Sequence, residues 1–275
     1  MQKVGFIGQG WVGKHYADWF EKTGLYDIVR YDIDTYAENK DAIKDCEVVF
    51  VCVPTPTNDN GFDDSIVDSV LSLIGDGNTA VIKSTILPGT TSKMQKKHPN
   101  ITVLFSPEFL REASAADDVA NPERNVVGIT DESQESIAEK VINIFPKAPF
   151  NKITTAETAE LIKYASNCFL YMKVVFANIL YDISEDLGIS YDDVADIMVH
   201  DSRIGTSHLQ VVHQGGRGAA GNCFAKDMEA FRELVEKHAD EEAHDMIKSI
   251  IHKNLAVLEG SGKDTDLIKS IYKDI

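Results

Sequence analysis

A glycine-rich hexapeptide near the start of the chain restricts the possible folds more than any other feature of the sequence. Gly8-Gln9-Gly10-Trp11-Val12-Gly13 follows directly after the apolar run Val4–Ile7 and precedes a stretch with helical periodicity. Three glycines at this spacing permit a tight turn, close approach of the backbone to a diphosphate, and close packing of a helix on a strand. Free amides at the start of such a helix attract phosphate groups. The hexapeptide therefore predicts a strand–turn–helix unit that binds a dinucleotide.

Asp32 supports the same interpretation. It follows the second predicted strand, some two dozen residues after the first glycine. At this place in a dinucleotide-binding unit, a carboxylate binds the hydroxyl groups of the adenosine ribose. No arginine or lysine follows Asp32 closely. A 2′-phosphate would therefore meet negative charge without a compensating cation, and the sequence favours NAD over NADP.

The first half of the chain alternates short strands with helical stretches, which is typical of a doubly wound parallel sheet. The predicted strands, rich in valine, isoleucine and phenylalanine, are Val4–Ile7, Ile28–Tyr31, Val48–Val53, Ala80–Lys83, Val103–Phe105 and Val126–Ile129. A helix is expected from Glu132 to Ile144. We therefore predict an α/β fold that begins with a Rossmann-type domain over residues 1–151.

The pattern changes after Pro146 and Pro149. From Thr155 to Leu187 the sequence reads as one long helix that contains neither glycine nor proline and ends at Gly188. Further helices are predicted at Tyr191–Val199, Asp227–His238 and Glu241–Leu258, with a glycine-rich loop at 214–222. Residues 152–275 are therefore predicted to form a second, all-helical domain.

Composition and charge exclude several classes of protein. The 275-residue chain has a formal net charge of −17, which repels nucleic acid and anionic membranes. No apolar run approaches the length of a membrane-spanning helix, and the first residues lead into a strand instead of a signal peptide. The four cysteines form neither a disulfide-rich pattern nor a CxxC pair. We expect a cytoplasmic protein with free thiols, without nucleic-acid or membrane partners and without a metal ion.

Two further patterns are compatible with chemistry at a carbon–oxygen bond, although helix geometry alone also fits a solvated lysine at Lys163 and a surface amide at Asn167. Lys163 and Asn167 lie four residues apart on the long predicted helix, so both project from one face and offer two donors to a single oxyanion. Cys223 follows the glycine-rich loop and precedes a helix, a position that makes a thiol accessible and favours its thiolate form. The other cysteines lie in apolar runs and are expected to be buried. A thiolate can trap an aldehyde as a thiohemiacetal, which allows a four-electron oxidation in two steps.

Short motifs along the chain resemble the UDP-glucose/GDP-mannose dehydrogenase family, and they occur in the family's order. After the opening GFIGQGWVG they are Val53-Pro54-Thr55-Pro56, Lys83-Ser84-Thr85, Pro88-Gly89-Thr90, Ser106-Pro107-Glu108-Phe109-Leu110-Arg111-Glu112, Pro122-Glu123-Arg124, Lys163 with Asn167, Asp201-Ser202-Arg203-Ile204-Gly205, and Gly221-Asn222-Cys223-Phe224-Ala225-Lys226-Asp227. Each is short, but their joint occurrence over nearly the whole chain is specific.

The resemblance implies that a nucleotide sugar similar to UDP-glucose is oxidised at C6, from the alcohol to the carboxylate, with two molecules of NAD. It implies that Cys223 captures the first-formed aldehyde and carries it through a thiohemiacetal and a thioester. It also implies that Lys163 and Asn167 hold the reacting oxygen.

The same resemblance implies the remaining roles. Water is oriented or deprotonated by Thr85, Asp227 and Glu108, with Glu108 as the general base of hydrolysis. The cofactor-binding residues are the hexapeptide and Asp32, together with Val53, Pro54, Thr55, Ser84, Thr85 and Glu112. The substrate-binding residues are Glu108, Phe109, Leu110, Arg111, Lys163, Asn167, Arg203, Gly218 and Gly221.

The resemblance also implies a homodimer around the long helix 155–187, because Arg203 in the family reaches the substrate of the neighbouring subunit. Full-length members carry a third domain that helps to bind the nucleotide. Because the sequence ends at Ile275, we expect that domain to be absent. The segment Thr206–Gln210 also departs from the family's aromatic and lysine residues, so the sugar and the base stay open.

Two alternatives remain. A two-electron β-hydroxyacid-type dehydrogenase also combines a Rossmann domain, a helical domain and a helical lysine with an asparagine four residues later. It requires neither Cys223 nor the segment Ser106–Glu112, and both are present. A catalytically silent NAD-binding protein has no reason to retain Lys163, Asn167 and Cys223 together.

The position of Asp32 generates a prediction about the cofactor. NAD should bind much more tightly than NADP, because the carboxylate accepts hydrogen bonds from ribose hydroxyl groups and repels a 2′-phosphate. Fluorescence titration with the two reduced cofactors measures the difference. Equal affinities would contradict the placement of Asp32.

Overall fold

The computed structural model describes residues 1–58 and 61–264, and its side-chain description leaves out residues 57, 58, 61, 222 and 223. The chain divides into two compact units, Met1–Lys163 and Tyr164–Ile275. Each has hydrophobic clusters of its own.

Seven strands of the described first unit form one sheet. They are β1 (Lys3–Ile7), β2 (Asp27–Tyr31), β3 (Val48–Val51), β6 (Thr79–Ile82), β7 (Thr102–Phe105), β8 (Arg124–Ile129) and β9 (Phe150–Thr155), with a small hairpin of β4 (Thr57–Asn58) and β5 (Gly61–Phe62) after β3. The order across the sheet is β2-β1-β3-β6-β7-β8-β9. Neighbouring strands from β2 to β7 are parallel.

Helices cover this sheet because its central strands are apolar on both faces. The helices are α1 (Trp11–Thr23), α2 (Ser65–Leu71), α3 (Thr90–Lys97), α4 (Ala115–Ala120) and α5 (Glu135–Ile144), with 3-10 helices at Ala37–Asp45 and Glu132–Gln134. In β3, Val48 and Phe50 belong to one cluster, and Val49 and Val51 to the other. Successive side chains of a strand point to opposite faces, so both faces are buried, as is typical of parallel sheets.

The predicted α/β fold is confirmed, and two details of the sheet differ from the prediction. Strand β8 runs antiparallel to β7 through the pair Phe105 and Gly128. Strand β9 was not predicted, because it lies at the edge and pairs through its backbone with β8 while its side chains are largely exposed. A strand with so few buried side chains leaves no apolar alternation in the sequence.

The second unit is helical in its described part. Helix α6 (Ala156–Leu187) enters it from the first unit, followed by α7 (Tyr191–Val199), a short hairpin of β10 (Val212–His213) and β11 (Gly216–Arg217), α8 (Asn222–His238) and α9 (Glu241–Ser261). The predicted end of the long helix is confirmed, since Gly188 has φ 66° and the Ile189 amide donates to the Ser184 carbonyl at 3.0 Å. Helix α8 begins at Asn222 instead of Asp227.

Within the described part of the chain, no helix is long and apolar enough to cross a membrane.

Glu160 fixes the first turns of α6 against the start of α3. Its carboxylate is fully buried and accepts hydrogen bonds from the Gly89 amide at 2.6 Å, the Thr91 amide at 2.8 Å and the Thr91 hydroxyl at 2.6 Å. Burial raises the pKa of Glu160, against the lowering effect of these three donors. The carboxylate therefore takes the place of the missing side-chain cap at Gly89.

The exposed Glu157 offers a matched comparison. Glu160→Ala should lower the free energy of unfolding of the first unit by about 3 kcal/mol, because buried donors lose their acceptor. Glu157→Ala, which removes an exposed hydrogen bond to the Ser92 hydroxyl, should cost about 0.5 kcal/mol or less. Urea unfolding followed by circular dichroism measures both. Equal losses would show that Glu160 does not act as a cap.

Candidate active site

The three glycines of the hexapeptide occupy different environments. Gly8 has φ 89°, and a Cβ on it would lie 2.3 Å from the Cys52 carbonyl oxygen. A Cβ on Gly13 would lie 1.9 Å from the Gly8 carbonyl oxygen, where α1 packs on β1. At Gly10 a Cβ would meet no atom within 4 Å, and the backbone has φ −69°, which any residue adopts. Neither protein packing nor backbone conformation explains a glycine at position 10, whereas a bound diphosphate does.

Asp32 lies at the same turn. One of its carboxylate oxygens accepts a hydrogen bond from the Gln9 amide at 2.7 Å, and the other accepts one from the Asp34 amide at 3.2 Å. Helix α1 begins next to it without a side-chain cap at Gly10. The turn therefore combines helix amides for a diphosphate with an oriented carboxylate for a ribose.

The loops after β3 and β6 are tied together by hydroxyl groups. The Thr55 hydroxyl donates to the Thr85 carbonyl at 2.7 Å, and the Ser84 hydroxyl donates to the Val53 carbonyl at 2.7 Å. Thr55 and Ser84 are buried, whereas Pro54 is exposed. These contacts hold the predicted cofactor loops side by side.

Glu108 and Lys163 form a buried ion pair. Lys163 is 5% exposed, and its ammonium group contacts both the Glu108 carbonyl oxygen, at 3.0 Å, and the Glu108 carboxylate. The second carboxylate oxygen accepts the Leu110 amide at 2.8 Å. The Glu108 carboxylate, on a loop, and the Lys163 ammonium group, on α6, thus hold each other in place within the first unit.

The residues after Glu108 are more exposed. Arg111 pairs with Asp118 through its side chain and its amide, and 69% of its side chain is exposed. The guanidinium of Arg124 stacks 3.8 Å from the Phe109 ring centroid. Glu112 is exposed.

Lys83 was not predicted as a site residue. Its ammonium group is buried, donates to the carbonyl and hydroxyl oxygens of Ser106 at 3.3 and 3.2 Å, and lies 4.3 Å from the centroid of the Tyr16 ring. Burial lowers the pKa of Lys83 to about 8 and raises the pKa of the Cys52 thiol to about 12. Lys83 anchors the start of the loop that carries Glu108. The sequence feature that could have identified Lys83 as a site residue is its place in the Lys83-Ser84-Thr85 motif.

In the second unit, Asn167 and Asp227 are paired. The Asn167 amide donates to the Asp227 carboxylate at 2.6 Å, and Asp227 is 3% exposed. The Cys168 thiol donates to the Asp227 carbonyl at 3.5 Å. Burial, together with the nearby Asp227 charge, raises the pKa of Cys168, which is consistent with the expected structural thiol.

The glycine-rich loop leads into the first turn of α8, where Cys223 lies. The Cys223 side chain is outside the described part of the structure. Gly218 and Gly221 have φ 94° and 86°, a region in which other residues are strained. Asn254, which the sequence did not single out, exchanges two hydrogen bonds of 2.8 Å with the backbone of Ala219 and fixes this loop to α9.

Arg203 lies apart from these contacts. Its side chain is 88% exposed and pairs with Asp201 of the same chain at 2.6 Å.

Comparison with known proteins assigns the family. Residues 35–146 match the NAD binding domain of the UDP-glucose/GDP-mannose dehydrogenase family, and residues 157–256 match its central domain. The chain belongs to this family. NAD is its cofactor.

Individual relatives agree with the assignment. The chain is 35% identical over 206 residues to the UDP-glucose 6-dehydrogenase of Rickettsia felis, which covers 71% of this chain and 45% of that protein. It superposes with a TM-score of 0.78 on a UDP-glucose dehydrogenase from Pyrobaculum islandicum, with 26% identity, over 94% of this chain and 71% of that one. The family member thus spans about half the length of the curated relatives that it matches.

The fold extends beyond these enzymes. A 3-hydroxyisobutyrate dehydrogenase from Mycobacterium tuberculosis superposes with a TM-score of 0.71 and 17% identity, over 92% of this chain and 95% of that one. This likeness concerns the fold alone.

The environments of Gly10 and Gly13 predict opposite mutant behaviour. Gly10→Ala should change the free energy of unfolding by about 0.5 kcal/mol or less, yet weaken NADH binding at least about tenfold, because the new methyl group enters the diphosphate position. Gly13→Ala should destabilise the first unit by about 2–3 kcal/mol through the clash with Gly8. Thermal melting and NADH titration separate the two. A stable Gly10→Ala variant with unchanged affinity would place the diphosphate elsewhere.

Proposed function

We propose that this family member oxidises the C6 hydroxymethyl group of a nucleotide sugar, most closely UDP-glucose, to the carboxylate. NAD, which the Gly8–Gly13 turn and Asp32 would hold, would supply the hydride acceptor, one molecule for each of the two oxidation steps. The observation that carries the proposal is the buried Lys163–Glu108 pair, formed by a lysine and a carboxylate that both belong to family motifs. A buried ion pair is costly to form, and charged groups buried in this way are common at catalytic sites, which supports a catalytic use.

Lys163 and Glu108 divide the acid–base work. We assign to the Lys163 ammonium group the stabilisation of the substrate oxygen, as an alkoxide in the first oxidation and as an oxyanion in the second. Glu108 orients water and takes its proton when the thioester is hydrolysed. The Leu110 amide and the Lys163 side chain hold the carboxylate for this task. Thr85 assists with the water.

Asn167, Asp227 and Cys223 complete the proposed set. The Cys223 thiolate adds to the aldehyde carbon, and loss of a second hydride converts the adduct to a thioester. Attack of water then gives the acid and returns the thiol. The 2.6 Å hydrogen bond between Asn167 and Asp227 supports a fixed amide that donates to the same oxyanion as Lys163. Gly218 and Gly221 would contact the sugar, with Phe109, Leu110 and Arg111 as further substrate contacts.

The apolar face of α6 supports a homodimer. Phe169, Phe176 and Ile183 follow one another at heptad spacing on this helix and are 60%, 53% and 48% exposed. Large apolar side chains in a row on a helix are usually covered by a partner. We propose that a second copy of the chain covers them and that Arg203 serves the partner's substrate.

The compartment and the pathway are also proposals. Cys46, Cys52 and Cys168 are free thiols, which supports a reducing compartment, and we place the enzyme in the cytoplasm. A uronic acid attached to a nucleotide is a building block for polysaccharides, so we propose that the product is used in polysaccharide synthesis.

The covalent role of Cys223 is tested with nucleotide sugars and NAD. The wild type should release two NADH per acid, and Cys223→Ser should stall after the first oxidation, because a serine hydroxyl is a far weaker nucleophile at neutral pH. Acid production should fall by at least about 10³-fold, with NAD binding retained. Mass spectrometry of the Cys223 peptide should show a substrate-derived adduct in the wild type only.

Cys168→Ala is the matched control. It removes the buried thiol next to Asp227 and should leave the NADH-to-acid ratio unchanged. Full acid production by Cys223→Ser would contradict the mechanism. A ratio of one NADH per product, with an aldehyde or ketone as product, would support the two-electron alternative instead.

A further inference from the structure

Arg30 is a buried cation that contacts the dinucleotide turn through Gln9. It lies on β2, two residues before Asp32, and is 8% exposed. Asp32 comes directly after the end of this strand, and both side chains contact Gln9, Arg30 at its side-chain oxygen and Asp32 at its backbone amide. In a chain with a net charge of −17, a buried arginine at this position requires specific partners.

The guanidinium group of Arg30 makes directed contacts with all three of its nitrogens. Nε donates to Glu21 at 2.8 Å, and one terminal nitrogen lies 2.7 Å from both Asp18 and Glu21. The other terminal nitrogen donates to the side-chain oxygen of Gln9 at 3.3 Å. The Gln9 side-chain nitrogen in turn donates to the Gly8 carbonyl at 3.2 Å. Helix α1 thus fixes the arginine, and the arginine holds the residue between the first two glycines.

Gln9 connects this network to the ribose-binding carboxylate. While Arg30 holds its side chain, the backbone amide of Gln9 donates to Asp32 at 2.7 Å. We propose that Arg30 is a positioning residue for dinucleotide recognition: by holding Gln9, it keeps Asp32 oriented for an unphosphorylated ribose and thereby sets the preference for NAD.

The charges around Arg30 act in the same direction. Two carboxylates, Asp18 and Glu21, surround one guanidinium, so its positive charge is neutralised and does not attract a 2′-phosphate. The pKa of Asp18 is lowered by its hydrogen bond and ion pair with Arg30, although burial opposes the shift, so this carboxylate stays ionised at neutral pH.

Arg30→Lys tests the proposal without changing the charge. One lysine ammonium cannot reproduce a planar guanidinium that contacts Asp18, Glu21 and Gln9 together. NADH binding to the full chain, measured by fluorescence titration, should weaken about tenfold, as for loss of one charge-assisted hydrogen bond. NADPH binding should stay within about twofold, because Asp32 repels its 2′-phosphate and gives it no favourable contact. The preference for NADH should therefore fall about tenfold.

Two further variants control this experiment. Lys14→Met removes the exposed lysine that pairs with the same Asp18 at 3.5 Å, and it should leave both affinities unchanged. Gln9→Ala keeps the ion pairs of Arg30 and should reproduce the reduced preference even if Arg30→Lys folds poorly. The double variant Asp32→Asn with Arg30→Lys should lose no more NADH affinity than Asp32→Asn alone, because Arg30 is proposed to act through Asp32.

A purely structural role predicts different results. If Arg30 only ties β2 to α1, Arg30→Lys should weaken NADH and NADPH binding equally, in step with a lower melting temperature. Equal weakening, or additive losses with Asp32→Asn, would overturn the proposal. The outcome is independent of the sugar substrate and of Cys223.

Discussion

The register of five parallel strands governs where the candidate groups of the first unit lie. The last residues of these strands stand side by side across the sheet: Tyr31, Ile7, Val51, Ile82 and Phe105. The loop after each strand therefore starts at one common edge, and these loops carry, in chain order, Gly8, Asp32, Val53, Ser84 and Glu108. Residues far apart in sequence are gathered there by backbone pairing. A register shift by one residue would turn each side chain to the opposite face and break the two apolar clusters.

Buried charges then fix the loops that the sheet has gathered. Lys83 holds the Ser106 end of the loop after β7, Lys163 holds Glu108 within it, and Glu160 ties the start of α3 to α6. Burying such groups is costly unless each one has partners with good geometry. Lys83 shows the cost directly, because burial lowers its pKa to about 8. These contacts fix the loops at this edge of the sheet to one another and to α6.

The sequence predicted the parts of this arrangement that depend on local chemistry. Gly8, Gly10 and Gly13 indicated the turn, and the predicted place of Asp32 agrees with its hydrogen bond to Gln9. The parts that were missed depend on contacts between distant residues. Glu160 caps a helix far away in the chain, and nothing near it in sequence indicates that.

The remaining omissions have similar causes. Arg30 and Asn254 make hydrogen bonds to residues distant in sequence, and such contacts leave no periodic pattern. Strand β9 has mostly exposed side chains, with Ile153 alone among its apolar residues packed against a core cluster, so its sequence carries little strand signal. A residue can therefore be predicted from sequence when its own backbone position requires that residue type. It cannot be predicted when its role depends on a contact with a residue far away in the chain.

The proposed four-electron oxidation makes a chemical demand that a single hydride transfer does not make. A second oxidation of the same carbon requires that the aldehyde stay bound, since its release would end the reaction at two electrons. A covalent bond between the aldehyde and the protein prevents that release, however weakly the free aldehyde binds. In the proposed mechanism, the Cys223 thiolate forms this covalent bond, and Glu108 takes the proton of the water that hydrolyses the resulting thioester.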